Sequence, residues 1–210
     1  CLQWIHDRVK NNLAVRSGLL ELQLNEYDDP TYRRLILESQ SRIRTMAMIH
    51  EKLYQSENLS KIPMLEYVED LVAQIRKGIK IGEKQISIDM DIEDIELNIN
   101  QAIPFALAIN EILSNALEHA FKNQQKGKVV VELHEEGDFI CSSIHDNGQG
   151  MKDISSEQNS SLGMTLIRAL LTQIDADWKI EGEGGVAYTI RFKKYNEKDA
   201  HNSLKDLDNE

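Results

Sequence analysis

Two stretches of helical period, one on each side of the turn DDP at 28–30, limit this chain most. Leu2, Ile5, Val9, Leu13, Leu20 and Leu24 recur in steps of three, four and seven, which places them on one helical face. Leu35, Ile43, Met46, Ile49 and Leu53 repeat the pattern after the turn. Pro30 is well placed to open the second helix, because the first helical position needs no backbone N–H. The two make a helical hairpin. A hairpin cannot surround its own apolar stripe, so pairing with a second copy into a four-helix bundle is the expected completion. Packing on the rest of the same chain is the alternative.

The texture changes after the polar linker SENLSKIP at 56–63. MLEYVEDLVAQIRK reads as a helix, and QISIDMDI alternates as a strand does. INQAIPFALAINEILSNALEHAF reads as one long helix with Pro104 in its first turns. KVVVELHEEGDFICSSIHD reads as a hairpin turning at EEGD, SLGMTLIRALLTQI as a helix, and DWKIEGEGGVAYTIRF as two strands around a glycine-rich turn. Strands mixed with helices after a helical hairpin predict an α+β chain whose second part is an α/β sandwich. The expected units are a hairpin over 1–60, a sandwich over 61–195 and a charged, disordered tail over 196–210.

Composition excludes some functions. The 210 residues are 41% hydrophobic, enough for a core, and carry a net charge of −11. That balance opposes nucleic acid or an anionic membrane as the main partner, since both need basic surface. Two cysteines show no disulfide or zinc spacing, which predicts a reducing, cytoplasmic setting, with Cys141 a buried small residue in FICSSI. The chain opens without Met, already in helical period, and reads as a piece of a longer protein with an upstream sensor.

Three features of the second part carry chemistry. Glu111, Asn115 and either Glu118 or His119 fall three and four apart and share a helical face. Acid, amide and imidazole together suit hydrated magnesium and phosphate oxygens; solvent exposure alone is the plainer account. DNGQG at 146–150 follows a strand and is either a plain turn or a loop whose glycines admit a ligand. SLGMT at 161–165 opens a helix, whose free N–H groups favour anions.

Taken in this order, residues 105–192 resemble the ATP-binding domain of the GHKL superfamily, to which sensor histidine kinases and type II topoisomerases belong. NEILSNALEHAF resembles the N box, DNGQGM the first glycine box, SLGMTLI the second, and GGVAYTIRF the terminal strand motif. Residues 5–24 resemble the phosphoacceptor helix of sensor histidine kinases related to the HWE subclass, with its pattern H-x-R-V-K-N-N-L. RIRTMAMIHEKLY at 42–54 resembles the second helix of that subclass.

The resemblance implies ATP-dependent autophosphorylation on His6, then phosphotransfer to an aspartate on the receiver domain of a response regulator. It implies that Asp7 orients the His6 ring and that Lys10 offsets phosphate charge. Asn115 would hold Mg²⁺, and Glu111 would orient a magnesium-bound water or act as a base. Asp146 would bind the adenine amino group, with Gly148 and Gly150 shaping the pocket. Glu118 and His119 would stand near the nucleotide, and Leu162, Gly163 and Met164 would face its phosphates. Residues 151–161 would be a lid. The chain departs from the family at Glu118, where many relatives have Lys, at Val186, where many have Thr, and at Trp4, where many have an acid. A non-enzymatic phosphotransfer or scaffold protein with a degenerate nucleotide domain is the alternative.

Overall fold

The structure is a computed structural model that describes residues 29–55, 61–78, 85–151 and 161–195, together with the helical positions Asn12, Val15, Gly18, Leu19, Leu20 and Leu22. His6, Asp7 and Lys10, most of the expected first helix, residues 152–160 of the expected lid and the tail over 196–210 lie outside the described residues.

The second hairpin helix, α1, runs Pro30–Gln55. Asp29 caps it: its Oδ1 accepts from the backbone N–H of Thr31 at 2.7 Å and of Tyr32 at 3.2 Å. Pro30 takes the first helical position, where the missing donor costs nothing. A short strand β1, Lys61–Pro63, leads directly into α2, Met64–Gly78. β2 covers Gln85–Ile92, the stretch whose alternation predicted it. β3, Glu96–Asn98, pairs antiparallel with β1, Ile62 opposite Leu97. This small ribbon was not legible as strands, because each segment is three residues long.

Asn98 caps the next helix, α3, Ile99–Asn115, by accepting from the Gln101 backbone N–H at 3.1 Å. The expected single helix through Phe121 does not hold. After Asn115 the backbone widens into a π turn, Ala116–Ala120. Such bulges are frequent at functional sites. β4, Lys126–Glu136, and β5, Phe139–Asp146, form the expected hairpin, turning at Gly137 with φ 61°. α4 is Leu162–Gln173; β6, Asp177–Glu181, and β7, Ala187–Lys193, close the fold.

The five-stranded sheet has the order β2-β4-β5-β7-β6, with β2 parallel to β4 and the other pairs antiparallel. Alternation decides which face is covered. Val129, Val131 and Leu133 of β4, Ile140 and Ile144 of β5, and Tyr188, Ile190 and Phe192 of β7 are buried. Phe105 of α3 meets Phe192 edge-on, ring centroids 5.1 Å apart. Cys141 falls on the other face, between the inward Ile140 and Ser142, so it is only partly covered rather than buried as expected. Buried Gln101 ties the layers: its Nε2 donates to the Lys193 carbonyl at 2.7 Å, and its Oε1 accepts from the Tyr195 N–H at 2.9 Å.

α1 does not stand free. Ile36, Gln40, Thr45 and Ile49 are buried in the chain, while Leu35, Leu37 and Met46 stay exposed at 39%, 53% and 36%. Packing on the same chain and an open apolar surface thus occur together on one helix.

Candidate functional site

A cavity of about 820 Å³ lies between α1, α3, the π turn, the start of α4 and the ends of β5 and β7. Its volume is in the range of small-molecule sites. Glu111, Asn115, Glu118, His119, Asp146 and Gly150 all line it, as do Leu162, Gly163 and Met164. The three sequence features, far apart along the chain, therefore meet around one space.

α3 supplies the polar wall. Glu111 is 6% exposed although charged, and Asn115 follows one turn on. Both converge on α4: a Cβ at Gly163 would lie 3.4 Å from Glu111 Oε2 and 3.4 Å from Asn115 Nδ2. The missing side chain brings the first turn of α4 against the carboxylate and the amide. Ser161 caps α4, its hydroxyl accepting from the Met164 N–H at 3.2 Å. An acid and an amide beside a helix N-terminus are hard oxygen donors next to a region of positive dipole. That donor set fits a magnesium ion held mainly by water and phosphates. Among the described residues no group of three or more His, Cys, Asp or Glu is arranged to hold a metal without such help.

Glu118 and His119 sit in the π turn and are exposed at the cavity rim. Desolvation raises the Glu118 pKa, and nearby Glu38 adds to that. Desolvation lowers the His119 pKa, helped by Lys122 and Arg34, which favours the neutral imidazole.

Asp146 closes β5 at 7% exposure. Its Oδ1 accepts from the Gly148 N–H at 2.8 Å, and its own N–H donates to the Val186 carbonyl at 3.0 Å. Burial pushes this carboxyl above the usual range, against the hydrogen bonds that the backbones of Gly148 and Val186 give to the carboxylate. Gly148 does not line the cavity. It passes so close to the Ala120 carbonyl that a Cβ has no room, and Gln149 N–H donates to that carbonyl at 3.0 Å. Gly148 thus shapes the site from behind, by holding the loop on the π turn. Gly150 has φ 72° and packs on the Gly182 carbonyl, so its backbone needs glycine.

Sequence reasoning missed the contribution of α1. Arg34, Glu38, Ser41 and Arg44 line the same cavity. Arg42 forms a two-pronged ion pair with Glu111, Nε to Oε1 and Nη2 to Oε2, both at 2.8 Å. No sequence signal could have found this pair, because its two residues lie 69 positions apart.

Comparison with known proteins follows the same division. Residues 5–79 match a family described as histidine kinase, and residues 85–191 one described as histidine kinase-like ATPase domain. The sensor histidine kinase PdtaS of Mycolicibacterium smegmatis is 29% identical over 170 residues, which are 80% of this chain and 34% of that protein. Blue-light-activated histidine kinase 2 of Erythrobacter litoralis is 23% identical over 194 residues, 86% of this chain and 53% of that protein. The chain thus spans about a third to a half of these relatives' length. A solved histidine kinase domain from an Erythrobacter litoralis blue-light-activated histidine kinase superposes with a TM-score of 0.68 at 19% identity, covering 92% of this chain and 90% of that one. At that identity the likeness is one of fold.

Proposed function

The chain belongs to the histidine kinase family, and from that membership we propose that it is the catalytic core of a dimeric sensor histidine kinase. It binds Mg-ATP in the cavity and phosphorylates His6. The phosphoryl group then passes to an aspartate on a response regulator receiver domain. The observation that carries this reading is the convergence of Glu111, Asn115, Asp146 and Gly163 around one cavity of about 820 Å³. A histidine kinase match that includes His6 accompanies it.

The chemistry assigns a task to each group. Asn115 would hold magnesium, and Glu111 would orient a water beside it or act as a base. When bound, the metal would supply charge neutralisation at the phosphates. Asp146, kept acceptor-rich at the end of β5, receives the adenine amino group. The first turn of α4, from Leu162 through Gly163 to Met164, faces the phosphates. The unprotonated nitrogen of His6 attacks the γ-phosphorus, the bond to the bridging oxygen breaks, and ADP leaves with the electron pair. The proton on the other ring nitrogen is held by Asp7, which orients the ring and stabilises the charge that forms. Lys10, four residues after His6 in the sequence, would offset the phosphate.

The exposed apolar residues support a homodimer. Val15, Leu19 and Leu22, exposed at 61%, 57% and 64%, add to Leu35, Leu37 and Met46 of α1. A second copy covering them completes a four-helix bundle. Among the described residues no helix is long and apolar enough to cross a membrane.

One observation favours the scaffold reading. Glu118 stands with Glu38 at the rim, adding negative charge where phosphates must enter. Incubation with γ-labelled Mg-ATP separates the two. The kinase reading expects acid-labile, base-stable label on the intact chain and none on His6→Gln or Asn115→Ala. Tight ATP binding with no label on any of the three supports the scaffold instead.

A further inference from the structure

Glu111, the carboxylate the reaction needs, is already engaged. Arg42 lies midway along α1 and donates to both of its oxygens, edge to edge, in the planar fork that suits a guanidinium and a carboxylate. The two side chains are 15% and 8% exposed, so water screens the pair little. The bond to Glu111 raises the Arg42 pKa above its ordinary value, against the effect of burial. Glu38, one turn earlier, adds a second acid to Arg42 at 3.6 Å and also meets Arg34 at 3.7 Å.

The contact around this pair is polar. The Ser41 hydroxyl donates to Asn110 Oδ1 at 3.2 Å, while the buried Asn110 Nδ2 finds no partner among the described residues. Among the positions of α1 whose burial is described, Gln40 and Thr45 are buried and polar, while Ile49 reaches the apolar core. For the polar part of this contact, desolvation offsets much of what the ion pair and hydrogen bond gain. The same contact borders the cavity: Arg34, Glu38 and Arg44 of α1 line it together with Glu111.

We infer that Arg42 is a latch: while α1 is docked on α3, Arg42 withholds Glu111 from the reaction, and undocking releases the carboxylate and the ATP domain together. Arg42 is thus a positioning residue that acts through Glu111. The role given to Glu111 rests on the kinase reading above; the clamp on α1 does not.

The test uses the full chain, with Arg42→Gln and Arg42→Lys, and two readouts. Hydrogen exchange at the amides of residues 36–49, without nucleotide, reports docking. The initial rate of His6 labelling by Mg-ATP reports release. Loss of the fork in Arg42→Gln should speed exchange by about tenfold, the sign of a lowered local opening energy. It should raise the labelling rate by about fivefold or more, the lower end of ordinary coupling between sites. Arg42→Lys keeps the charge without the fork and should fall between parent and Gln on both. Faster exchange with slower labelling would overturn the latch and make Arg42 a support of catalysis. Unchanged exchange would overturn the clamp itself. Faster exchange with no label on any chain, parent included, would refute the kinase reading and leave the clamp standing.

Discussion

α3 has two sides that face different neighbours. One carries Phe105, Ile109, Ile112 and Leu113, all buried against the sheet and α4. The other carries Asn110 and Glu111, which meet Ser41 and Arg42 of α1. The first contact is apolar, non-directional and favourable in any close-packed arrangement. The second depends on donors meeting acceptors in one geometry, and it leaves one buried amide nitrogen without a partner among the described residues. The same helix therefore faces an apolar core on one side and a polar joint with α1 on the other. Glu111, to which the proposed reaction gives a role, sits on the polar side.

The sharpest break of that contrast is in the core. Phe105→Ala empties a fully buried site against Phe192 and should cost about 3–5 kcal/mol in denaturant unfolding. A loss below about 1 kcal/mol would mean that the core is no firmer than the joint.

Asp146→Asn comes next. Asn keeps an Oδ1 for the Gly148 N–H but loses the charge proposed to receive the adenine amino group. ATP affinity should fall by about 1.5–3 kcal/mol, roughly ten- to a hundredfold, by titration calorimetry. Stability should move the other way. Burial raises the Asp146 pKa, so the folded chain binds this proton more tightly than the unfolded one. The stability this proton gives is present at low pH and is lost as pH rises through the raised pKa. Above it the charged, desolvated carboxylate is a cost that Asn removes. In the parent, ATP affinity should weaken as pH falls through that same raised value, and the Asn variant should lack this dependence.

Gly148→Ala tests the back of the site. A Cβ there collides with the backbone of Ala120, so the DNGQG loop and the π turn must separate. The expected cost is about 1–3 kcal/mol in thermal or denaturant unfolding, with a matching loss of ATP affinity. The smallest effect belongs to the joint. Asn110→Ala removes an unpartnered donor along with one hydrogen bond from Ser41, and should change global stability by less than about 1 kcal/mol. A larger loss would show that α1 is part of the core.

The legibility of these regions differs for the same reason. Apolar burial leaves a period in the sequence, so β2, the β4–β5 hairpin, α4 and the β6–β7 pair could all be read from alternation and helical spacing. The ribbon of β1 with β3 is too short for a period. The π turn breaks a helix whose residues are good helix formers, at the point where Ala120 packs against the DNGQG loop. At the site, the motifs placed Glu111, Asn115, Asp146 and Gly163 on the elements that carry them. The cavity brings these together with Glu118, His119, Gly150, Leu162 and Met164, while Gly148 works from behind. Arg42 was not legible, because an ion pair between distant segments has no spacing of its own.

The most direct test of the account is where the phosphate goes. The full chain would be incubated with Mg-ATP, digested at neutral to mildly basic pH and mapped by mass spectrometry. The account predicts a phosphoryl group on the peptide that contains His6, lost on acid treatment and absent after His6→Gln. Phosphate on a serine or threonine, or release of free phosphate with none on His6, would contradict it.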